Sequence, residues 1–219
     1  MPSLDITNFL NVAINIQATP FPGIHVADGV ILATDGVMLV AKKFDDKVFL
    51  RGEGAISPKA AKVLEALAAL ANEVYLEYVE VDGTAVTLVT REQYADRSEF
   101  LAVTFPPFAC RTVRIETFLP RCLPPHAELV CEAPSLKLVK AARLTDFVEL
   151  VDEPKRGSEL FQRKTPDAKV WYSVRQLREG LRLFRARDAV SVFRNDQGWL
   201  SFRDDWGRLF AVTPFVKRD

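Results

Sequence analysis

Two stretches of the chain pass through the same order of elements, and this internal repeat limits the possible folds more than any other feature. After Ser57, and again after Ser173, a helical segment is followed by a strand, a hairpin and a last strand, which end in LAVTFPPF and FAVTPFV. The turn at Asp82-Gly83 in the first stretch corresponds to Gln197-Gly198 in the second. The repeat indicates that one supersecondary unit is used more than once.

Two further helices each begin a comparable unit. Ser3 is a suitable N-cap for a first helix over residues 4–16, and Ser135 starts a third helix in SLKLVKAARL. We therefore predict an α+β fold of four units, each a helix followed by antiparallel strands, with crossovers too short for a doubly wound parallel sheet. The length suits two domains of about 110 residues. We place them at 1–108 and 128–219, joined by a proline-containing connector at 109–127.

The last helical run, SVRQLREGLRLFRA, has two distinct faces at about 100° per residue. The face predicted to pack on a sheet contains Val174, Leu177, Leu181 and Phe184. The neighbouring arc contains Arg175, Arg178, Arg182 and Arg185. A row of arginines on one face indicates either a solvated surface or contact with an anionic partner.

Other helices repeat this arrangement in weaker form. The helix that begins at Pro58 has a predicted buried stripe of Val63, Leu64, Leu67 and Leu70. Basic side chains lie away from the apolar positions on the second and third helices, namely Lys59, Lys62, Lys137, Lys140 and Arg143. The first helix has Ile6, Phe9, Leu10 and Ala13 on one face and only Thr7, Asn8, Asn11 and Asn15 on the other. The chain has 29 basic and 29 acidic residues, so any basic surface must arise by segregation of charge.

Composition excludes several classes of protein. No run of 18 apolar residues is present, so we predict no membrane span. The start, MPSLDITN, lacks the pattern of a signal peptide, and the three cysteines indicate reduced thiols in a cytoplasmic protein.

Few residue patterns point to chemistry. Cys122, His126 and Cys131 have a spacing that allows a metal or a cysteine nucleophile, but no fourth ligand is evident. The pair Asp204 and Asp205 is better explained by a turn before Trp206-Gly207, and no glycine-rich phosphate loop is present. We therefore expect no catalytic residue, no metal and no cofactor.

Three segments resemble the DNA sliding clamps, the family of the bacterial DNA polymerase III beta subunit, proliferating-cell nuclear antigen and phage clamps. These are ILATDGVMLVA at 31–41, ISPKAAKVLEALAALANEVYLEYVEVDGTAVTLV at 56–89, and GRLFAVTPFVK near the end of the chain. In that family each domain is two such units, and six domains close into a ring with helices lining the hole. Two domains per chain would then imply a homotrimer, and a phage, prophage or plasmid origin would suit a two-domain chain with a bacterial type of signature.

The resemblance implies a processivity factor without chemistry of its own. It would encircle double-stranded DNA and tether a DNA polymerase and other enzymes that carry clamp-binding peptides, and a clamp loader is a further partner. A ring that slides must contact phosphates without reading bases. The expected DNA-facing residues are Lys59, Lys62, Lys137, Lys140, Arg143, Arg175, Arg178, Arg182 and Arg185. The expected pocket for the partner peptide contains Phe105, Pro107, Phe118, Leu119, Pro214 and Phe215.

Two alternatives remain open from the sequence. A clamp-fold interaction module that does not encircle DNA, such as a clamp mimic or inhibitor, would differ in oligomeric state. A small-molecule enzyme on an α+β fold would use Cys122, His126 or the acids near Asp204, and would need a deep polar pocket.

Overall fold

The computed structural model of the chain describes residues 2–16, 22–27, 29–44, 50–69, 74–92, 100–110, 115, 127–185 and 188–217. The chain divides into two compact units. The first consists of Met1–Gly36 with Val40–Ile115, and the second of Val37–Leu39 with Glu116–Asp219. Each unit contains helices and predominantly antiparallel strands, which confirms the α+β class.

The first unit pairs two helices with a run of hydrogen-bonded strands in the order β7-β6-β5-β4-β1-β2-β3. The helices α1 and α2 pack against each other. The elements are α1 (Pro2–Ala13), β1 (Ile24–Ala27), β2 (Val30–Thr34), β3 (Met38–Lys43), β4 (Leu50–Ile56), α2 (Pro58–Ala69), β5 (Val74–Gly83), β6 (Ala85–Glu92) and β7 (Phe100–Phe105).

Helix α2 begins where its local signals predict. The Ser57 side-chain oxygen accepts a hydrogen bond from the Ala60 amide at 3.1 Å, and Pro58 occupies the first helical position. The predicted buried stripe of α2 is confirmed at Leu64 only, because the fully buried residues among its described side chains are Ala60, Ala61 and Leu64, while Val63 and Leu67 are half-buried. Small alanine side chains let α1 approach closely, and the predicted α1 core residues are buried as expected: Ile6, Phe9, Leu10 and Ala13. Leu70 lies outside the described residues.

One strand pair of the first unit departs from the predicted antiparallel pattern. Strands β4 and β5, which flank α2, pair in parallel, with Gly52 opposite Val81 and Gly54 opposite Gly83. A Cβ atom added to Gly52 would lie 2.0 Å from the Val81 carbonyl oxygen, and one added to Gly54 would lie 1.7 Å from the Gly83 oxygen. Both glycines also have positive φ, so this close pairing depends on the absence of side chains at the two positions.

The second unit pairs two shorter helices with two sets of strands, in the orders β8-β12-β13-β14 and β10-β9-β11-β15. Its core includes the stacked rings of Phe202 and Phe210, whose centroids are 5.4 Å apart. The elements are β8 (Glu128–Glu132), α3 (Lys137–Ala141), β9 (Phe147–Leu150), β10 (Phe161–Arg163), β11 (Val170–Ser173), α4 (Val174–Leu181), β12 (Ser191–Arg194), β13 (Leu200–Arg203), β14 (Arg208–Val212) and β15 (Phe215–Val216).

The predicted repeat is present in both units. The helix α4, like α2, begins after a serine, since the Ser173 side-chain oxygen accepts from the Gln176 amide. Antiparallel ladders then connect β5-β6-β7 in one unit and β12-β13-β14 in the other. The equivalent turn residues Gly83 and Gly198 both adopt positive φ, at 59° and 79°.

Helix α4 is shorter than the predicted 173–186 run and buries a different set of residues. Its core residues are Val174, Leu177 and Gly180, followed by Leu183 beyond its end, whereas Leu181 and Phe184 are half-buried. The Leu183 amide donates to the Gly180 oxygen at 3.1 Å, an i to i+3 bond that winds the last turn more tightly. This tighter turn brings Leu183 into the core in place of the residues that an ideal helical wheel selects.

Helix α3 spans five residues, half the length of the predicted segment. Its C-cap, Ala142, is in an extended conformation, and Val139 is the buried residue of the helix. Ala141, the last residue of the helix, is exposed.

Candidate nucleic-acid interface and partner surface

The first unit offers two cations on α2. Lys59 and Lys62 are both exposed, and Glu65 on the same helix is half-buried. The neighbouring helix α1 contributes neutral polar groups, because Asn11 and Asn15 are exposed and the Asn15 amide donates to the Asn11 carbonyl at 2.7 Å. The helices of this unit therefore present a modest positive charge on one helix only.

The predicted cations of α3 and its following turn are exposed. Lys137 and Lys140 lie on the helix, and Arg143 follows it with 85% of its side chain exposed. The Arg143 Nε donates to the Asp146 carboxylate at 3.1 Å, and its backbone amide donates to the same carboxylate at 2.9 Å. This backbone hydrogen bond is the main reason that the pKa of Asp146 is lowered. Asp146 offsets part of the Arg143 charge.

Three of the four arginines predicted on the last helix are exposed. Arg175 lies in the first turn of α4, and Arg182 and Arg185 lie at and beyond its end. Arg182 is 61% exposed and pairs with Glu179 at 3.3 Å. Such an exposed pair contributes about 0–1 kcal/mol, so the guanidinium group can exchange Glu179 for another anion.

Arg178 differs from the other arginines because its guanidinium group is hydrogen-bonded to the end of α3. Its Nε donates to the Val139 carbonyl at 2.8 Å, and its Nη2 donates to the carbonyls of Lys140 and Ala142. These are carbonyls at a helix C-terminus, which lack partners within the helix. Arg178 therefore joins α4 to α3, and its side chain is already committed to protein acceptors.

A buried network of ion pairs contacts the segment that directly follows α4, and the sequence did not predict it. Arg208 is 2% exposed and contacts Asp204 and Asp188, whose side chains are 1% and 11% exposed. Arg208 also donates to the Leu183 carbonyl at 3.2 Å. Asp204 stabilises both an ion pair and a turn. Its Oδ2 contacts the Arg208 guanidinium group, and its Oδ1 accepts hydrogen bonds from the backbone amides of Trp206 and Arg208.

The predicted partner-peptide residues lie in both units. In the first unit Phe105 is buried and Pro107 is exposed. In the second unit Pro214 is half-buried and Phe215 is 40% exposed. Phe118 and Leu119 lie outside the described residues.

Phe147 joins Phe215 in an exposed aromatic pair that the sequence pattern did not reveal. The two ring centroids are 5.6 Å apart at an interplanar angle of 82°, and Phe147 is 41% exposed. The ladder explains their proximity, because Trp171 pairs with Phe215 and Ser173, two residues further along β11, pairs with Phe147. The only available signal was the period-2 pattern of these strands, which required knowledge of their register.

Of the three residues considered as metal ligands or as a nucleophile with its base, the structure describes Cys131. Cys131 is buried, its thiol donates to the Lys155 carbonyl at 3.3 Å, and burial raises its pKa. Cys122 and His126 lie outside the described residues. Within the described ranges, no group of three His, Cys, Asp or Glu side chains could hold a metal ion. Among the described helices, none combines the length and hydrophobicity needed to cross a membrane.

Solved structures similar to this chain are DNA sliding clamps. The DNA polymerase sliding clamp of Bacillus subtilis matches with a TM-score of 0.57 and 12% identity, over 97% of this chain and 62% of that one. The Helicobacter pylori beta clamp bound to a DNA ligase peptide matches with a TM-score of 0.52 and 12% identity, over 99% of this chain and 65% of that one. The PCNA2–PCNA3 complex of Sulfolobus tokodaii matches with a TM-score of 0.56 and 10% identity, over 98% of this chain and 97% of that chain.

These similarities define the fold. The chain has the sliding-clamp fold over nearly its whole length, as its sequence resemblance predicted. It spans less than two thirds of the length of the bacterial clamps and nearly all of the archaeal PCNA chain. No protein-family profile matches the chain, and no curated protein matches it by sequence.

Proposed function

We propose that this protein is a processivity factor of the sliding-clamp type, which encircles double-stranded DNA and tethers replication enzymes to it. The observation that carries the proposal is the presence of exposed cations on the helices of a clamp fold and directly after them, at Lys59, Lys62, Lys137, Lys140, Arg175, Arg182 and Arg185. Helices in this family line the ring, so these side chains would face the phosphates. Arg143 contributes less charge because of Asp146, and Arg178 acts through the α3–α4 contact.

A homotrimer is the assembly that the chain length favours. The match to nearly the whole length of a PCNA chain supports two clamp domains per chain, for which we keep the boundaries 1–108 and 128–219 with a connector at 109–127. A closed ring of six domains then needs three copies. The expected result in light scattering is a mass three times that of the 24.6 kDa chain. A monomer at every concentration tested would favour the alternative, an interaction module that does not encircle DNA.

Binding to DNA is tested by charge reversal at two exposed arginines. Arg175→Glu combined with Arg182→Glu should weaken binding to duplexes of unrelated sequence by a similar factor. Removal of each cation that neutralises a phosphate should also reduce the slope of log affinity against log salt by about 0.9. The matched control is Arg156→Glu with Arg163→Glu, which changes the same charge at two exposed positions outside the helices. Equal effects of the two pairs would contradict a helical DNA interface.

Encirclement needs a topological experiment. Protein bound to nicked circular duplex should remain bound in high salt and be released when the circle is cut, because a ring can then slide off the ends. Release from circular and linear DNA at the same salt concentration would refute encirclement while leaving simple DNA binding intact.

Tethering is proposed to use the exposed aromatic pair of Phe147 and Phe215 together with Pro214. The Helicobacter pylori clamp was solved with a DNA ligase peptide, and a short apolar peptide suits an exposed aromatic surface. Pro214→Ala with Phe215→Ala should abolish capture of such a peptide in a pull-down and leave the oligomer unchanged. The control is Trp206→Ala, which removes a 67% exposed aromatic residue elsewhere in the second unit. Retained capture by the double variant would contradict this assignment.

A further inference from the structure

A cavity of about 580 Å³ lies between α3 and α4 in the second unit, and neither DNA contact nor tethering uses its interior. Its volume falls within the range of about 300–1,000 Å³ that is usual for small-ligand pockets. Most of the wall is apolar, with Leu136, Val139, Leu181, Phe184 and Val190 among its residues. The cationic side chains at the opening include Lys140, Arg182 and Arg185.

The segment that follows α4 forms part of the cavity wall. Helix α4 ends at Leu181, and Phe184 and Arg185 beyond it line the cavity opposite Leu136 and Val139. Leu181 and Phe184 would be core residues on a longer ideal helix, but here both are half-buried and line the cavity. The result is a concave, mainly apolar surface that the described residues do not fill.

The opening of the cavity keeps a net positive charge when the hydrogen bonds and ion pairs of its charged residues are taken into account. Arg178 also lines the cavity, but its guanidinium group already serves the carbonyls at the end of α3. Asp188, the acidic residue of the lining, is held by the buried Arg208. Arg182 has only an exposed pair with Glu179, which a ligand can replace at little cost.

We propose that this cavity binds a small aromatic anion, that is, an aromatic body joined to one carboxylate, sulfonate or phosphate group. The aromatic body would be removed from water against Phe184 and Leu181, and aromatic pairs gain from edge or offset contacts. The anionic group would accept hydrogen bonds from Arg182 and Arg185, whose planar guanidinium groups suit such oxyanions. This inference requires neither DNA nor a ring, although Arg182 and Arg185 are also among the residues that the proposed function assigns to DNA.

The probe for this site is 8-anilinonaphthalene-1-sulfonate, titrated into the full chain at low salt with fluorescence as the readout. The wild-type chain should show one saturable site. Arg182→Gln with Arg185→Gln should weaken the affinity about ten-fold, since charge-assisted hydrogen bonds are lost. Leu181→Trp should abolish saturable binding by filling the cavity. Circular dichroism melts identify any variant that fails to fold, and the two kinds of variant are independent of each other.

The matched control is Arg156→Gln with Arg163→Gln, which removes the same charge from exposed positions outside the cavity and should leave the affinity unchanged. An unchanged affinity in the folded Arg182 and Arg185 variant would overturn the proposal, as would an equal loss in the control. The two proposals fail separately. Lys59→Glu with Lys62→Glu should weaken DNA binding without affecting the probe, whereas Leu181→Trp should remove the probe site and retain the salt dependence of DNA binding.

Discussion

The packing of α4 on β14 depends on the absence of a side chain at Gly180, and Gly180→Ala tests this directly. An added Cβ atom would lie 2.0, 2.2 and 2.3 Å from three ring carbons of Phe210. Carbon atoms in good contact are about 3.5–4.0 Å apart, so an overlap of more than about 1 Å must be relieved. Phe210 is fully buried and stacks on Phe202, so its ring cannot simply turn away. The helix must therefore move outward.

The expected magnitude follows from two opposing effects. Overpacking of a core costs about 1–3 kcal/mol, whereas alanine is favoured over glycine within a helix by about 1 kcal/mol. The net result should be a loss of up to about 2 kcal/mol in the free energy of unfolding. For a unit of this size each kcal/mol lost lowers the Tm by about 4–8 °C.

Tryptophan fluorescence is the appropriate assay for Gly180→Ala. The chain has three tryptophans, Trp171, Trp199 and Trp206, and all three lie in the second unit, so a urea titration reports on that unit alone. Phe210→Leu provides the control, because a smaller side chain opposite position 180 should reduce the cost of the added methyl group in a double-mutant cycle. An increase in stability with Gly180→Ala would refute the close packing, since helix propensity alone would then decide the outcome.

Three further predictions concern buried and paired groups. Arg208→Met should lower the free energy of unfolding by about 3–5 kcal/mol in the same urea assay, because two largely buried aspartates lose their partner; a loss below about 1 kcal/mol would contradict the network. With the other two cysteines changed to serine, Cys131 should react with Ellman's reagent at pH 8 far more slowly in the native chain than in urea, because burial raises its pKa, and equal rates would show an accessible thiol. The backbone amide of Arg143 lowers the pKa of Asp146, so this carboxylate stabilises the fold above its unfolded pKa of about 3.9 and the contribution is lost as the pH falls through the folded pKa. Asp146→Asn should therefore reduce the Tm at neutral pH, and the difference from wild type should shrink below about pH 4; a constant difference would exclude the linkage.

Local signals in the sequence predicted the structure correctly where residues close in sequence determine the backbone conformation. The start of α2 follows from Ser57 and Pro58, which act within one turn of each other. The turn at Gly83 follows from a glycine that tolerates positive φ. The repeat of these signals after Ser173 was enough to predict an α+β fold of repeated units, and the resemblance of three segments to sliding clamps then predicted the clamp fold.

The errors arose where distant residues decide the outcome. The helical wheel selected Leu181 for the core, but Gly180 lets α4 approach Phe210 and the tight last turn buries Leu183 instead. No local pattern reveals that Arg178, 36 residues after Ala142, hydrogen-bonds to its carbonyl. The arginine row therefore predicted a charged face correctly in outline, but it could not separate the arginine that joins two helices from those that remain exposed.

The two units differ in how their strands are hydrogen-bonded, and this difference determines which strands can unfold locally. In the first unit the pairing of β4 with β5 extends one hydrogen-bonded ladder from β7 to β3, so the described strands there should exchange their amide protons as one cooperative block. In the described part of the second unit, β15 is held to β11 by two register pairs, Val170 with Val216 and Trp171 with Phe215, and by a hydrogen bond of 3.0 Å from the Lys217 amide to the Lys169 carbonyl. The segment that carries Phe215 can therefore detach at a small fraction of the global unfolding free energy. A peptide that docks on Phe215 and holds β15 in place would slow amide exchange in this strand and leave the rates in β4 unchanged.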